Sequence, residues 1–246
     1  MSSYFQNFEQ VGYKFGNEVS LTAIQNLTQS VRIPDIIGDD ISYYSLYTIL
    51  DGDRPDILSD KIYGNSTFYY TFYLMNTKLL ESGWPLPSNE VTDLVKTVHP
   101  NTVVGTTDDI TGKFNVGQTV TGQSSAVTGK IIKKRYDFGQ IVIEGTKQFS
   151  STEILKSDTE DTIQLCETST EANAIHHYLD GDGLYADVDP HGTTDSDGSR
   201  TIPALHTVVT YTTQYETEND ALKSIRVLKK EKVAKVHSEF MRLLRE

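Results

Sequence analysis

The hydrophobic pattern changes texture twice along the chain, and its densest apolar run is residues 51–76, DGDRPDILSDKIYGNSTFYYTFYLMN. Asp51-Gly52-Asp53 is turn chemistry, and Asp53 is placed to cap a helix that tolerates Pro55 because first-turn N–H groups have no intrahelical acceptor. Ile57, Leu58 and Ile62 give that helix one apolar face, and Gly64 ends it by taking the left-handed conformation. Ser66 or Thr67 then starts a second helix carrying Phe68, Tyr69, Tyr70, Phe72, Tyr73, Leu74 and Met75. A helix apolar on nearly every side must be buried or must offer an adhesive face.

Upstream, an aromatic cluster (Tyr4, Phe5, Phe8, Tyr13, Phe15) precedes Leu21, Ile24, Leu27 and Val31, whose near-helical spacing predicts a short helix ending before Ile33-Pro34. Residues 41–50, ISYYSLYTIL, are β-branched and aromatic and predict a strand leading into the helix pair. After Trp84, Ser88-Asn89-Glu90 starts a helix with Val91, Leu94, Val95 and Val98 on one face, stopped at His99-Pro100.

From Asn101 the texture turns to Gly, Thr and Val. Residues 114–120, 129–132 and 140–143 predict short strands between Gly-rich turns, which makes residues 101–165 a small antiparallel barrel or sandwich. GKFNVGQTV echoes KQFSSTEIL faintly, as two similar hairpins would. A further strand is expected at TIQLC. The Asp180-Gly-Asp-Gly turn should join residues 174–179 to 184–188, and residues 205–215 form a strand candidate.

The last segment fits two patterns. As a single helix, Leu222, Ile225, Val233, Val236, Phe240 and Leu243 share a face, but Lys229 interrupts it. As strand then helix, Ile225 and Val227 alternate against Arg226, and a helix from about Glu231 turns Val233, Val236, Phe240, Leu243 and Leu244 inward. The second pattern leaves fewer conflicts. The fold class expected is therefore α+β, in four stretches: an aromatic arm and short helix (1–40), a helix-pair domain (41–100), the β-rich module (101–165), and C-terminal strands plus one amphipathic helix (166–246).

Composition narrows the function classes. With 246 residues the chain can bury a sizeable core, and no apolar run approaches the roughly 20 residues of a membrane span. The first ten residues lack the charge and apolar core of a signal peptide, so the sequons at Asn26 and Asn65 carry no meaning. A single cysteine, Cys166, excludes an internal disulfide and suits a reducing cytoplasm, where its expected role is a small buried hydrophobe. The net charge is −12, yet residues 223–246 hold eight Lys/Arg against three Glu, which is +5, leaving −17 elsewhere. An acidic body argues against general nucleic-acid binding, and the basic tail suggests docking to an acidic partner or to the chain itself, or else a solvated helix face.

No chemistry-bearing constellation emerges. His176, His177, His191 and His206 match no zinc spacing. Against a calcium loop, Asp180 and Asp182 fit, but Leu184 occupies a ligand position and Gly183 comes too early, so loop solvation is the expectation. There is no G-x-S-x-G, P-loop, dinucleotide fingerprint or H-E-x-x-H, and Asp39-Asp40, Asp108-Asp109 and Glu160-Asp161 lie in polar loops. Neither an enzyme nor a cofactor is expected.

The segment GDRPDILSDKIYGNSTFYYTFYLMN resembles a LysM-type repeat: a Gly-Asp turn, a helix, Tyr-Gly-Asn, then an aromatic helix ending in Asn. Together with YFQNF near the start, SVRI, the strand at residues 43–50, GWPL, and K-x-I-x-V-L near the end, it resembles the small baseplate wedge protein of T-even-like contractile-tail phages. The resemblance covers roughly residues 4–99 and 174–246 and leaves 101–165 as an insertion. It implies a LysM-like βααβ domain and a structural role: clamping larger wedge subunits and helping neighbouring wedges associate around the central hub. Several copies per tail are implied, in a virion assembled in the bacterial cytoplasm, with neither nucleic acid nor membrane as partner. The contact candidates are Tyr4, Phe5 and Phe8 in the arm, Tyr69, Tyr70 and Tyr73 on the second helix, Trp84, and Val233, Val236 and Phe240 on the last helix. For Trp84 core packing is favoured. Where such motifs often place Trp in the second helix, this chain has Tyr70. The alternative implied by LysM-like units is binding of N-acetylglucosamine polymers, with Asp53, Arg54 and residues 76–79 lining a groove.

Overall fold

Gly64, at φ 75°, ends the first helix in the left-handed conformation the sequence required, its N–H donating to Asp60 O. The structure is a computed structural model that describes residues 8–17, 19–26, 40–189 and 205–244. It is mixed α+β, with several antiparallel sheets and six α-helices among the described residues. The chain divides into two compact units, residues 1–87 with 219–246, and residues 88–218. These boundaries differ from those expected at 100/101 and 165/166.

In the first unit, β1 (Gln10–Tyr13) and β2 (Thr22–Gln25) form a two-stranded antiparallel hairpin, so the helix expected across 21–31 is a strand where it is described. Leu27 and Val31 lie outside the described residues. Cross-strand pairing of Val11 with Ile24 and Tyr13 with Thr22 outweighs the loose helical spacing. Next, β3 (Tyr44–Thr48) leads to α1 (Pro55–Tyr63). Asp53 does not cap α1. Arg54 holds that position, while the Asp53 carboxylate accepts from Leu50 N (3.0 Å) and Tyr47 Oη (3.2 Å) and so closes the turn before the helix.

The expected second helix is divided in three. A 3-10 turn (Ser66–Tyr69) is capped by Asn65 Oδ1, which accepts from Thr67 N; α2 (Tyr70–Met75) follows, and after a break at Asn76 comes α3 (Thr77–Ser82). At the far end of the chain, β14 (Ser224–Leu228) pairs antiparallel with β3, and α6 (Lys230–Leu243) follows, as the strand-then-helix pattern predicted. Leu58, Phe72, Leu79, Ile225, Val227 and Val233 form the core, each contributing roughly 1.5–3 kcal/mol for full burial.

In the second unit, α4 (Ser88–Val98) buries Val91 and Val95. The strands are β4 (Thr102–Gly105), β5 (Thr119–Gly122), β6 (Thr128–Arg135), β7 (Gln140–Ile143), β8 (Ile154–Ser157), β9 (Thr162–Gln164) and β10 (Glu167–Thr170), in the order β10-β4-β7-β6-β5-β8-β9. The two ends of this sheet lie on one continuous segment that bends at Leu165-Cys166, where Cys166 N donates to Gly105 O and Leu165 N to Glu153 O. The faint echo has a structural counterpart: Phe114 and Phe149 are both buried, each six residues before a buried strand residue (Val120, Leu155), and β5 pairs with β8. The strand expected from residue 114 begins only at Thr119, because Phe114 turns at φ 51°. A smaller sheet joins β11 (Ile175–Leu179) to β12 (Tyr185–Ala186) and β13 (Thr207–Thr210). The strand expected to 215 ends at Thr210, whose hydroxyl accepts from Thr213 N and caps α5 (Tyr211–Lys223).

Candidate functional site

The aromatic residues of the first unit are placed by two packing events. Phe8 is buried with Tyr70, Phe240 and Leu244, so the chain leading out of the arm is pinned between α2 and α6. The Tyr70 ring lies 4.8 Å from Phe240, and its hydroxyl is 2.6 Å from His237 Nδ1. Val233 and Val236 are buried in the main core. Five of the contact candidates, Phe8, Tyr70, Val233, Val236 and Phe240, therefore hold α6 onto the helices rather than facing outward. The physical reason is that α6 needs a partner for its apolar stripe, and the aromatic run on residues 68–75 provides it.

Trp84 is half-buried. Its Nε1 donates to Asp53 O at 2.7 Å, and its ring packs near Phe72 (5.9 Å) and Tyr73 (6.1 Å). The core placement favoured for Trp84 agrees with this geometry. Tyr69 and Tyr73 are half-buried, and burial, then Tyr69, pushes the Tyr73 phenol upward. Burial pushes the Tyr63 phenol up to about 12, beneath the stacked Phe72 ring. Tyr4 and Phe5 lie outside the described residues.

The apolar surface that remains exposed is elsewhere. Every residue of β1 is exposed, and Val11, Tyr13, Phe15, Val19 and Leu21 present apolar groups on the hairpin. Tyr13 and Phe15 stack edge to face at 4.9 Å. The period-two alternation of Val11, Tyr13 and Phe15 carries a strand signal that the aromatic-cluster description passed over.

Asp53 and Arg54, expected to line a groove with residues 76–79, are not among the residues lining the cavity to which residues 76–79 contribute. That cavity, of about 430 Å³, is lined by Met75–Leu79 with Ala221, Leu222, Ser224, Ile225 and Arg226. Its wall is fixed by Asn76, whose Nδ2 donates to Phe72 O (2.7 Å) and Arg226 O (2.9 Å) while its Oδ1 accepts from Arg226 N (2.8 Å). Asp53 is half-buried and its backbone carbonyl accepts from Trp84 Nε1, while Arg54 is exposed.

In the second unit His99, His176 and His177 pack against neighbouring side chains. His99 Nδ1 lies 3.5 Å from Glu171 Oε1 and its ring stacks on Tyr211 at 4.2 Å; the other Glu171 oxygen accepts from Asn101 Nδ2. His176 and His177 meet at 2.7 Å between their Nδ1 atoms, and burial holds both imidazoles below the ordinary range, His176 further through His177 and Arg135. Among the described residues no group of three or more His, Cys, Asp or Glu is placed to hold a metal ion. The Asp180 carboxylate accepts from Asp182 N and Leu184 N, which commits it to the turn. Cys166 is buried, and Glu153 is buried but saturated, accepting from Ser124 N, Ser125 N, Ser125 Oγ and Ser150 N. No helix of the described residues is long and apolar enough to cross a membrane. No protein-family model matches the chain, and no curated protein is significantly similar to it.

Proposed function

We propose that the chain is a structural component of a contractile-tail phage baseplate wedge, clamping larger wedge subunits and helping to join wedges around the central hub. The observation that carries this reading is that most of the described part of the segments bearing the resemblance, residues 40–87 and 219–244, forms one unit, with β14 closing antiparallel on β3. A LysM-like βααβ domain would have a strand, two helices and a returning strand; here β3, α1, a second helical stretch divided into a 3-10 turn, α2 and α3, and then β14 keep that order, interrupted by residues 88–218. The closing of the β-rich sheet on itself near Cys166 suits a small barrel as the inserted module. The chain is not an enzyme in this reading; its partners are the other wedge subunits and neighbouring wedges, in several copies per virion tail.

Charge supports the absence of nucleic-acid binding in a way the whole-chain value hides. The first unit holds thirteen Lys/Arg against fourteen Asp/Glu, so its basic C-terminal segment is offset internally; the second holds nine against twenty, which is −11. The glycan reading is favoured only by the cavity at Met75–Leu79, whose lining includes no aromatic ring. Two measurements separate the readings: sedimentation of the full chain with purified larger wedge subunits, and retention on purified peptidoglycan. Stoichiometric binding in the first with no retention in the second is expected. Saturable retention without wedge binding would replace the structural role by glycan binding.

A further inference from the structure

We propose that the His176–His177 pair is a proton-operated latch on the small sheet of the second unit: neutral, it holds β12 on β11, and on acidification it lets β12 go. The inference concerns the second unit alone and does not depend on the wedge reading. Successive strand residues ordinarily point to opposite faces, so two adjacent histidines would not meet. Here the register against β13 shifts between Ile175 and His177, and this bulge brings the rings together with their Nδ1 atoms 2.7 Å apart. The ring centroids are 5.0 Å apart, close to the Nδ1 separation plus the reach from each centroid to its own nitrogen, so the two nitrogens meet head on. That arrangement fits one Nδ1–H donating to one bare Nδ1. A metal ion bonded to both nitrogens at about 2.0–2.1 Å would need them farther apart along this line. Arg135 fixes the bulge through its carbonyls: Nη2 donates to His176 O at 2.8 Å, and Nη1 donates to Ile175 O.

The pair has room for one Nδ1 proton, and when both rings are charged they turn two N–H groups on each other. The groups around it resist that state. On β6 stands the Arg135 guanidinium, over the rings of Phe138 and Tyr211. After α4 comes His99 with its Glu171 neighbour, and α5 supplies Tyr211, 4.9 Å from the His176 ring, and the exposed Glu218, which acts the other way. Burial, then His177 and Arg135, holds the His176 imidazole below the ordinary range, and burial does the same for His177. The folded values being the lower ones, the latch is fully closed above about pH 6.5 and weakens as pH falls below it. β12 is the element that gives way. It pairs through two residues only, Ala186 with Tyr178 and Tyr185 with Leu179, whereas β11 keeps β13 on its other edge. Tyr185, 73 % exposed, lies 4.4 Å over the ring of His177, which is 8 % exposed, so a charged His177 gains water by displacing it.

The test is hydrogen exchange on the full chain at pH 7.5 and 5.5, corrected for the intrinsic pH dependence of the amides, comparing a peptide over residues 180–187 with one over β7. Uptake of one proton raises an opening equilibrium by up to about 10-fold per pH unit below 6.5. Opening of 180–187 should therefore rise about 10-fold at pH 5.5 with β7 unchanged, and His176→Gln/His177→Gln should open equally at both pH values. No rise in the parent, the same rise in the variant, or an equal rise in β7 would overturn the latch. Where the variant exchanges freely at both pH values, nitrogen NMR of the parent histidines decides. One ring protonated at Nδ1 and the other at Nε2 at pH 7.5, with both titrating together below pH 6.5, supports the latch. Two Nε2–H rings, or independent titration at the ordinary value, would overturn it.

Discussion

At the Tyr70–His237 contact, one short hydrogen bond ties the last helix to the aromatic helix. Burial holds the His237 imidazole below the ordinary His range, so the folded chain keeps it neutral while the unfolded chain takes up a proton near pH 6.5. The folded value being the lower one, this contribution is complete above pH 6.5 and declines as pH falls below it. Urea midpoints followed by Trp84 fluorescence should fall from pH 7 toward pH 5, and His237→Gln should flatten that slope. A slope unchanged by the substitution would assign it to other groups. Tyr70→Phe leaves His237 Nδ1 without the hydroxyl and should cost about 1–2 kcal/mol at pH 7 in the same measurement. Glu153 also loses its contribution on acidification, for a different reason. Burial raises its pKa, but hydrogen bonds from Ser125, Ser150 and Ser124 outweigh it and hold the carboxyl below the ordinary range, so its contribution is present above the unfolded value and lost as pH falls through the folded one. A Cβ on Gly122 would collide with this carboxylate, so the site is built around it. Glu153→Gln should destabilise the second unit by about 2 kcal/mol, visible as faster hydrogen exchange of the Ser124, Ser125 and Ser150 amides.

Among the elements, the break between α2 and α3 carries more than a helix end normally does. Asn76 leaves helical geometry (φ −134°, ψ 95°), and its side chain occupies the Arg226 N–H and C=O as a neighbouring strand would. Asn76→Ala removes three hydrogen bonds and strands backbone groups of β14; about 3 kcal/mol of destabilisation is expected from Trp84-monitored urea unfolding. A loss below about 1 kcal/mol would mean that water replaces the amide. Asn76 also shows which elements sequence could reveal. Pro55, Gly64 and the alternation of Ile225 and Val227 are local signals, and α1, its end and β14 were legible from them. The division of residues 66–82 was not, since it depends on a pairing with a residue 150 positions away. For the same reason β2 was mistaken for a helix: its Ile24 is explained by Val11 across the hairpin, not by Leu27 along the chain. At Tyr211 a local signal was present, the Thr210 hydroxyl as a cap, but a run of Thr and Tyr favours strand by propensity and concealed it.

For the whole molecule, the sequence marks Phe8, Tyr70 and Phe240 as apolar but not as buried or exposed, because exposure is decided by which elements pair. Phe8 and Phe240 read as adhesive in isolation and become core once they share Tyr70. The same scale governs the insertion. The chain leaves the first unit after Pro87 and returns at Asn219, and those ends are clasped: Leu86 N donates to Asn219 Oδ1 (2.8 Å), and Asn219 Nδ2 donates to Leu86 O (3.0 Å). An insertion whose ends meet in this way adds little loop-closure cost to its host. Replacing residues 88–218 by a short Gly-Ser linker from Pro87 to Asn219 should therefore leave a folded protein of net charge −1, with β3–β14 pairing and the core around Phe72 and Ile225 retained. Only the first turns of α5 are lost with the insertion, and Leu222, which packs on that core, is kept. A cooperative Trp84 transition within about 2 kcal/mol of the parent is expected. Loss of that transition would mean that residues 219–244 cannot close on 40–87 without the intervening chain. Retention would also permit a test of the proposed wedge role: if that proposal holds, the shortened chain, freed of the −11 carried by residues 88–218, should bind the larger wedge subunits with a weaker dependence on ionic strength.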